Sequence, residues 1–198
     1  LHMLNAKVYG LGFKPKINEK LFNQIGLKKK IIFKYIDVTN KKELKKYIDR
    51  VKPSIIFHLA AQPILSESYK YPFETLLTNS IGTLNLLDIC KKIKYIKSIV
   101  CITSDKCYKN SHSTRGFKEQ DKLGGEDPYS ASKACAEIIA ESYYKSFFKK
   151  KGVGLATTRA GNVIGGGDWS PNRLVPDCIN WLINNQTIKI RRPNFNRP

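Results

Sequence analysis

The chain is poor in the residues that build metal sites and secreted scaffolds. It has three scattered histidines and five cysteines (Cys90, Cys101, Cys107, Cys135, Cys178), an odd number with no Cys-x-x-Cys spacing. That pattern speaks against a metal centre and a disulfide framework, and for the reduced structural thiols of a cytosolic protein. No apolar run approaches the length of about twenty residues that a bilayer span requires, so no membrane partner is expected. The opening Leu1-His2-Met3 shows no cationic patch followed by an apolar stretch and a cleavage site, and no signal peptide is visible. Acidic residues are scarce: 16 Asp and Glu stand against 35 Lys and Arg, a formal net charge of +19. Such a surplus raises nucleic-acid binding, in which clustered cations release counterions from phosphate. Only seven of the basic residues are arginine, however, and the lysines cluster at 28–30, 41–42, 45–46 and 149–151, on segments that read as solvated helix faces. No helix-turn-helix, zinc-finger or aromatic RNA-binding signature accompanies them, so nucleic-acid binding is the rival reading and no such partner is expected.

What is present is material for one real core. The 198 residues are 41% hydrophobic and 11% aromatic, which excludes disorder and leaves little room for a second independent domain. Short β-rich runs alternate with longer helical runs, without internal repeats. Strands are expected at Lys7 to Tyr9, Ile31 to Tyr35, Ser54 to His58, Ser98 to Thr103, Gly154 to Thr158 and Ile188 to Ile190. Helices are expected at 40–51, 73–92, 129–149 and about 173–184, with a weaker one near 18–26. Ile55-Ile56-Phe57 and Ile99 to Ile102 are continuously apolar, as strands covered on both faces should be. The predicted fold is α/β, a doubly wound, Rossmann-like parallel sheet. Asn40 followed by Glu43 predicts a capping box. No strand, Gly-rich turn and helix precede Lys7, and no terminal cap follows Arg197-Pro198. The expectation is a fold truncated at both ends: residues 1–160 a dinucleotide-binding domain lacking its first strand and turn, and 161–198 the start of a substrate-binding region.

Ligands of open parallel sheets collect at the carboxyl ends of the strands, which directs attention to Asp37, Leu59 to Gln62, Ser104 to Lys106 and Arg159 to Asp168. Tyr129 and Lys133 stand four apart, hence on one helical face, where an ammonium favours the phenolate and lowers its pKa. With ten tyrosines and 28 lysines, chance yields about one such pair, so the spacing alone carries little. Context adds weight: the pair opens a helix after Asp127-Pro128 and follows a buried strand that ends in Thr103-Ser104-Asp105-Lys106. The ordinary alternative for Asp105-Lys106 is an ion pair in a surface loop. Gly165-Gly166-Gly167 lacks the Lys-Ser/Thr of a P-loop and reads as a flexible turn. His58, on a buried strand end, reads as a hydrogen-bonded core residue, and His2 and His112 stand alone.

Five stretches carry a family resemblance: Phe57-His-Leu-Ala-Ala-Gln-Pro63, Thr78-Asn-Ser-Ile-Gly-Thr83, Ile102-Thr-Ser-Asp-Lys-Cys-Tyr108, Asp127-Pro-Tyr-Ser-Ala-Ser-Lys133 and Arg159-Ala-Gly-Asn-Val-Ile-Gly-Gly-Gly-Asp-Trp169. With them the chain resembles the extended short-chain dehydrogenases/reductases and, within these, the family of CDP-glucose 4,6-dehydratases. The resemblance implies bound NAD, a nucleotide-sugar substrate, a homodimer or higher homo-oligomer, and a place in deoxysugar synthesis for surface polysaccharide. It implies that Tyr129 takes the proton of the sugar 4-hydroxyl, that Lys133 holds the nicotinamide ribose, and that Ser104 bonds the reacting oxygen. Asp105 is then the acid for the departing hydroxyl and Lys106 its partner at carbon 5, as base or as electrostatic stabiliser. It further assigns Asp37, Val38, Leu59, Ala60, Ala61, Gln62 and Thr78 to the cofactor, and Asn162, Arg173 and Arg197 to the substrate. One departure stands out: Leu11-Gly12-Phe13 occupies the place where many NAD enzymes carry a ribose-binding acid. Another nucleotide-sugar dehydratase or a 4-epimerase of the same superfamily is the nearest alternative.

Overall fold

In the computed structural model, residues 1–13, 25–110, 115–170, 172–190 and 193–194 are described. Arg197, His112 and nearly all of the expected helix at 18–26 lie outside them. Among the described residues five strands form, all parallel, in two sheets. Strand β1 (Tyr9–Gly12) pairs with β2 (Ile32–Tyr35), Tyr9 opposite Ile32. Strand β4 (Ser98–Ile102) lies between β3 (Ile55–His58) and β5 (Gly154–Thr158), with Cys101 opposite both His58 and Thr157. The order within each sheet is therefore β1-β2 and β3-β4-β5, and β1 and β3 are not hydrogen-bonded to each other.

Two expected strands need correction. The first begins at Tyr9 rather than Lys7 and runs through two glycines. A Cβ on Gly10 would lie 2.8 Å from the Phe33 ring, so glycine is what lets β1 accept that ring. Pairing with β2 overrides the poor strand propensity of glycine. Ile188 to Ile190 is not a strand: these residues are exposed and pair with no strand among the described residues. Propensity without an edge to pair with does not make a ladder.

The helices are α1 (Leu27–Lys30), α2 (Lys41–Val51), α3 (Leu65–Lys70), α4 (Pro72–Leu76), α5 (Gly82–Cys90), α6 (Pro128–Tyr143) and α7 (Leu174–Ile183). A π-turn at Leu77–Ile81 joins α4 to α5, so 72–90 is one helical run with an irregular middle. Asn40 Oδ1 caps α2 by accepting the Glu43 N–H at 3.1 Å. That cap aims Leu44, Tyr47 and Ile48 inward, where Tyr47 donates from its hydroxyl to Gly10 O at 3.1 Å and ties α2 to β1. Leu44, Ile48, Leu87, Ile99 and Phe148 meet in the principal core, each burial contributing about 1.5–3 kcal/mol.

Helix α6 is built to hold its register. Asp127 accepts from Ser130 N at 2.8 Å and Ser130 Oγ at 2.6 Å, and Pro128 occupies the first turn, where its missing N–H has no consequence. Gly125 lies so close to this turn that a Cβ there would come 2.3 Å from Ala131 N. From this start, α6 buries Ser132, Lys133, Ala134, Ala136, Glu137 and Ala140. Among the described residues no helix is long and apolar enough to cross a membrane.

Candidate active site

The centre of the site is the end of β4. Ser104 leaves the strand with extended backbone and caps a 3-10 turn, Asp105–Cys107, by accepting the Lys106 N–H at 3.2 Å. Its hydroxyl donates to Asp105 Oδ1 at 3.0 Å and lies near enough to the Tyr129 phenol to favour the phenolate. Lys106 Nζ lies 3.2 Å from Asp105 Oδ2, with the lysine half-exposed and the carboxylate more enclosed. An acid and an amine from the β4 turn are thus gathered around one serine, beside a tyrosine from α6.

Burial raises the Tyr129 phenol above its ordinary value of 10, and the Ser104 hydrogen bond pulls the other way. Asp105 and Asp127 add to the rise, while the Arg173 guanidinium opposes it. Lys133 stands one turn further along α6. Its ammonium, buried at 6% exposure, donates to Ile102 O at 3.2 Å. Burial holds Lys133 below the ordinary value for a lysine. One ring away, His58 Nε2 sits 3.0 Å from Thr83 Oγ1. Thr83 spends its single proton on Asn79 O, so His58 must be the donor, a neutral imidazole. Desolvation, followed by the nearby Lys133 charge, lowers its pKa to about 4.

The residues expected at the cofactor come from both sheets. Asp37, at the end of β2, accepts the Thr39 N–H at 2.9 Å. Val38 is buried beneath Gly82, where a Cβ would approach the valine methyl to 2.7 Å, and its carbonyl accepts from Asn85 Nδ2. At the end of β3, Leu59 is exposed and Ala60, Ala61 and Gln62 are half-buried. Asn79 takes the Gln62 N–H on Oδ1 at 2.7 Å and donates from Nδ2 to Gln62 O and to Ser132 Oγ. The run 72–90 therefore pins both strand ends, through Asn85 and through Asn79. Thr78 lies half-buried in the π-turn beside Asn79. Buried Asn79 was missed by the sequence reading, although it sits inside the quoted Thr78-to-Thr83 stretch; the π-turn that aims it has no sequence signal. Glu137 was missed as well; it bonds Thr103 and Thr157 at the ends of β4 and β5, and Arg159, one of the strand-end residues singled out from the sequence.

The expected substrate residues are more loosely held. Asn162 is exposed in the segment after β5. Arg173 precedes α7 and donates to Asp168 Oδ2 at 3.2 Å, while Asp168 also accepts the Ser170 N–H. The triple glycine turns at Gly167, whose φ of 84° favours glycine. Cys90, Cys101 and Cys107 are buried free thiols pushed up to about 12, 12 and 11, so they stay protonated and inert.

A dinucleotide fits these residues on one observation: Lys133 has three donors, and its hydrogen bond inside the protein uses one. A buried ammonium with donors to spare at a strand end suits ribose hydroxyls, and the small Ala60 and Ala61 leave room for a close approach.

A family model described as GDP-mannose 4,6 dehydratase matches residues 11–176. The chain is 48% identical over 167 residues to the CDP-glucose 4,6-dehydratase of Salmonella typhimurium, a match that covers 82% of this chain and 46% of that protein. Among solved structures it resembles the dTDP-glucose 4,6-dehydratase of Bacillus anthracis in complex with NAD, at 27% identity and a TM-score of 0.74, over 90% of this chain and 53% of that one. The UDP-glucose 4-epimerase of Thermotoga maritima shares the fold with a TM-score of 0.80 at 19% identity, over 95% and 59% of the two chains. The chain spans about half the length of the relatives it matches.

Proposed function

The chain belongs to the GDP-mannose 4,6 dehydratase family, and on that premise we propose that it dehydrates CDP-glucose to CDP-4-keto-6-deoxyglucose with NAD. The observation that carries this reading is the Ser104 hydroxyl, which donates to the Asp105 carboxylate at 3.0 Å beside the Tyr129 phenol. Oxidation and elimination need a base at O4 and an acid at C6 of one hexose, and a serine beside both keeps the two groups within the width of a sugar ring.

The cofactor, when bound, takes up the C4 hydrogen with its electron pair and returns it at C6. Tyr129 takes the O4 proton, Ser104 holds that oxygen, and Lys133 anchors the nicotinamide ribose through its spare donors. The 4-keto group makes the C5 proton acidic. A proton passed from Lys106 to Asp105 within their pair makes an amine and an acid: the amine takes the C5 proton, the acid gives its proton to the leaving C6 hydroxyl, one water departs, and the O4 proton held by Tyr129 replaces the one lost with it. Hydrogen returned at C6 and a proton returned at C5 close a cycle that is redox-neutral overall. Asp37, Val38, Leu59, Ala60, Ala61, Gln62 and Thr78 line the cofactor, and Asn162, Arg173 and Arg197 grip the diphosphate, for which a guanidinium is suited by its paired donors. In this reading 1–160 is the cofactor-binding part, 161–198 belongs to the substrate region, and the enzyme is a cytosolic homodimer. Exposed Tyr69, Phe73, Ile81 and Ile138 on the outer helices support the pairing.

The test is incubation of the full chain with CDP-, dTDP-, UDP- and GDP-sugars, followed by mass spectrometry. A product lighter by one water from CDP-glucose alone is expected. A 4-epimer of unchanged mass, or turnover of another nucleotide sugar in preference, overturns the assignment.

A further inference from the structure

Glu137 is 4% exposed and carries no role in the chemistry above, yet its carboxylate is fully engaged. Oε1 accepts from Thr103 Oγ1, and Oε2 accepts from Thr157 Oγ1 and from Arg159 Nη2, each at 2.9 Å. A buried carboxylate spent on three partners from two strand ends joins those ends mechanically, since loss of any partner leaves polar atoms without water. Two of the partners flank the Asp105–Cys107 turn. Thr103 enters it from β4. Arg159 reaches its exit: the guanidinium lies 4.8 Å over the Tyr108 ring, which stacks on Phe117 at 4.7 Å with the rings 4° from parallel. Arg159 Nη1 also donates to Glu119 O at 2.9 Å, and Asp105 N donates to Ala160 O at 3.1 Å. The turn is thus clamped at both ends from the α6 side. Tyr129, Lys133 and Glu137 recur every four residues on one face of α6.

Resting on the dehydratase reading, we propose that Arg159, held by Glu137, is a positioning residue that sets the Asp105-Lys106 turn in register with Tyr129 and Lys133. The groups assigned to oxidation reach the site from α6 itself and from Ser104, which the β4–β5 ladder fixes through Thr103 N to Thr158 O at 2.9 Å. The groups assigned to elimination hang on the turn, whose exit is held by the Arg159–Tyr108–Phe117 stack together with the hydrogen bonds of Gly124 N to Cys107 O and Lys109 N to Lys122 O. Weakening the stack therefore separates two steps that normally run together. Lysine cannot replace the arginine here, because an ammonium keeps the charge opposite Glu137 but lacks the planar face that lies on the tyrosine.

The experiment is single turnover of the full chain by Arg159→Lys, with NAD and CDP-glucose. Appearance of reduced nicotinamide should stay within about threefold of the parent while the dehydrated product forms about 10- to 100-fold more slowly, so that 4-keto-glucose and reduced cofactor accumulate. Amide hydrogen exchange without substrate should quicken at 104–108 and not at 129–137. Tyr108→Leu, which removes the stack and leaves the ion pair, should reproduce the split and carries the test if Arg159→Lys fails to fold. Equal losses in both steps, or unchanged exchange in the turn, overturn the proposal while the dehydratase reading stands. If the parent itself forms no product from CDP-glucose, that reading fails, and the exchange measurement alone decides whether Arg159 holds the turn.

Discussion

The block formed by β4, α6 and β5 and the segment from 159 to 190 flank the same strand ends, yet they are held by different physics. In the first, α6 alone buries Ser130, Ser132, Lys133 and Glu137 alongside three alanines, and its polar groups are bonded across segments. In the second, α7 has no buried residue, and Ser170 and Arg173 at its approach both bond Asp168 close by in the chain. Tyr129, Lys133 and Ser104, the groups proposed to meet the reacting O4 and the cofactor, stand on the satisfied, buried block. Groups proposed to grip a charged tail sit on the exposed one, where adjustment is tolerated.

Tyr129→Phe strikes the buried block at its chemical end. It should lower turnover of CDP-glucose about 10²- to 10⁴-fold, the usual contribution of a positioned acid–base group, with little change in melting temperature. Preserved turnover would remove the tyrosine from the reaction. Glu137→Ala strikes the same block at its structural end. It leaves Arg159 without its buried partner and strands Thr103 and Thr157, and should destabilise the fold by about 3–5 kcal/mol in urea unfolding. A loss below 1 kcal/mol would mean that water replaces the carboxylate and that the block is less dry than its burial implies.

His58 supplies a pH probe of that dryness. Its folded pKa of about 4 lies below the ordinary 6.5, so between those values the unfolded chain binds the extra proton. Stability contributed by the neutral imidazole is complete above about pH 6.5 and falls as the pH drops toward 4, by up to about 3 kcal/mol. His58→Asn should flatten this limb of the stability profile measured by denaturant titration. An unchanged slope would assign acid sensitivity to other groups.

What could be read beforehand follows the same division. The Asn40 cap, the bounds of β5 and the helix that starts at Pro128 were legible because local chemistry settles them: a capping side chain, a β-rich run, a proline at the first turn. Ser104 and Asp105 were legible as strand-end residues, and the structure adds that they touch. Glu137 was not, because on sequence it is one more acid in a helix; only the approach of β4 and β5 makes it interior. Asn79 hid in a π-turn, which breaks the 3.6-residue period on which face assignments rest. Ile188 to Ile190 misled for the opposite reason, since the residues favour a strand and nothing pairs with them.

The smallest effect belongs to the exposed segment. Asp168 and Arg173 form a partly exposed pair, 3.2 Å apart with side chains about a third exposed, and such pairs contribute about 0–1 kcal/mol. Arg173→Ala should therefore leave the melting curve almost untouched. If the guanidinium meets a diphosphate, the same substitution raises KM for CDP-glucose and leaves kcat nearly constant, because an interaction made equally in the ground state and the transition state is lost. Glu137→Ala and Arg173→Ala then differ in kind: one changes the fold's stability, the other only the affinity. A fall in kcat at constant KM for Arg173→Ala would bring the arginine into the chemistry, in keeping with its electrostatic reach to Tyr129, and would erase the division of labour between the two regions.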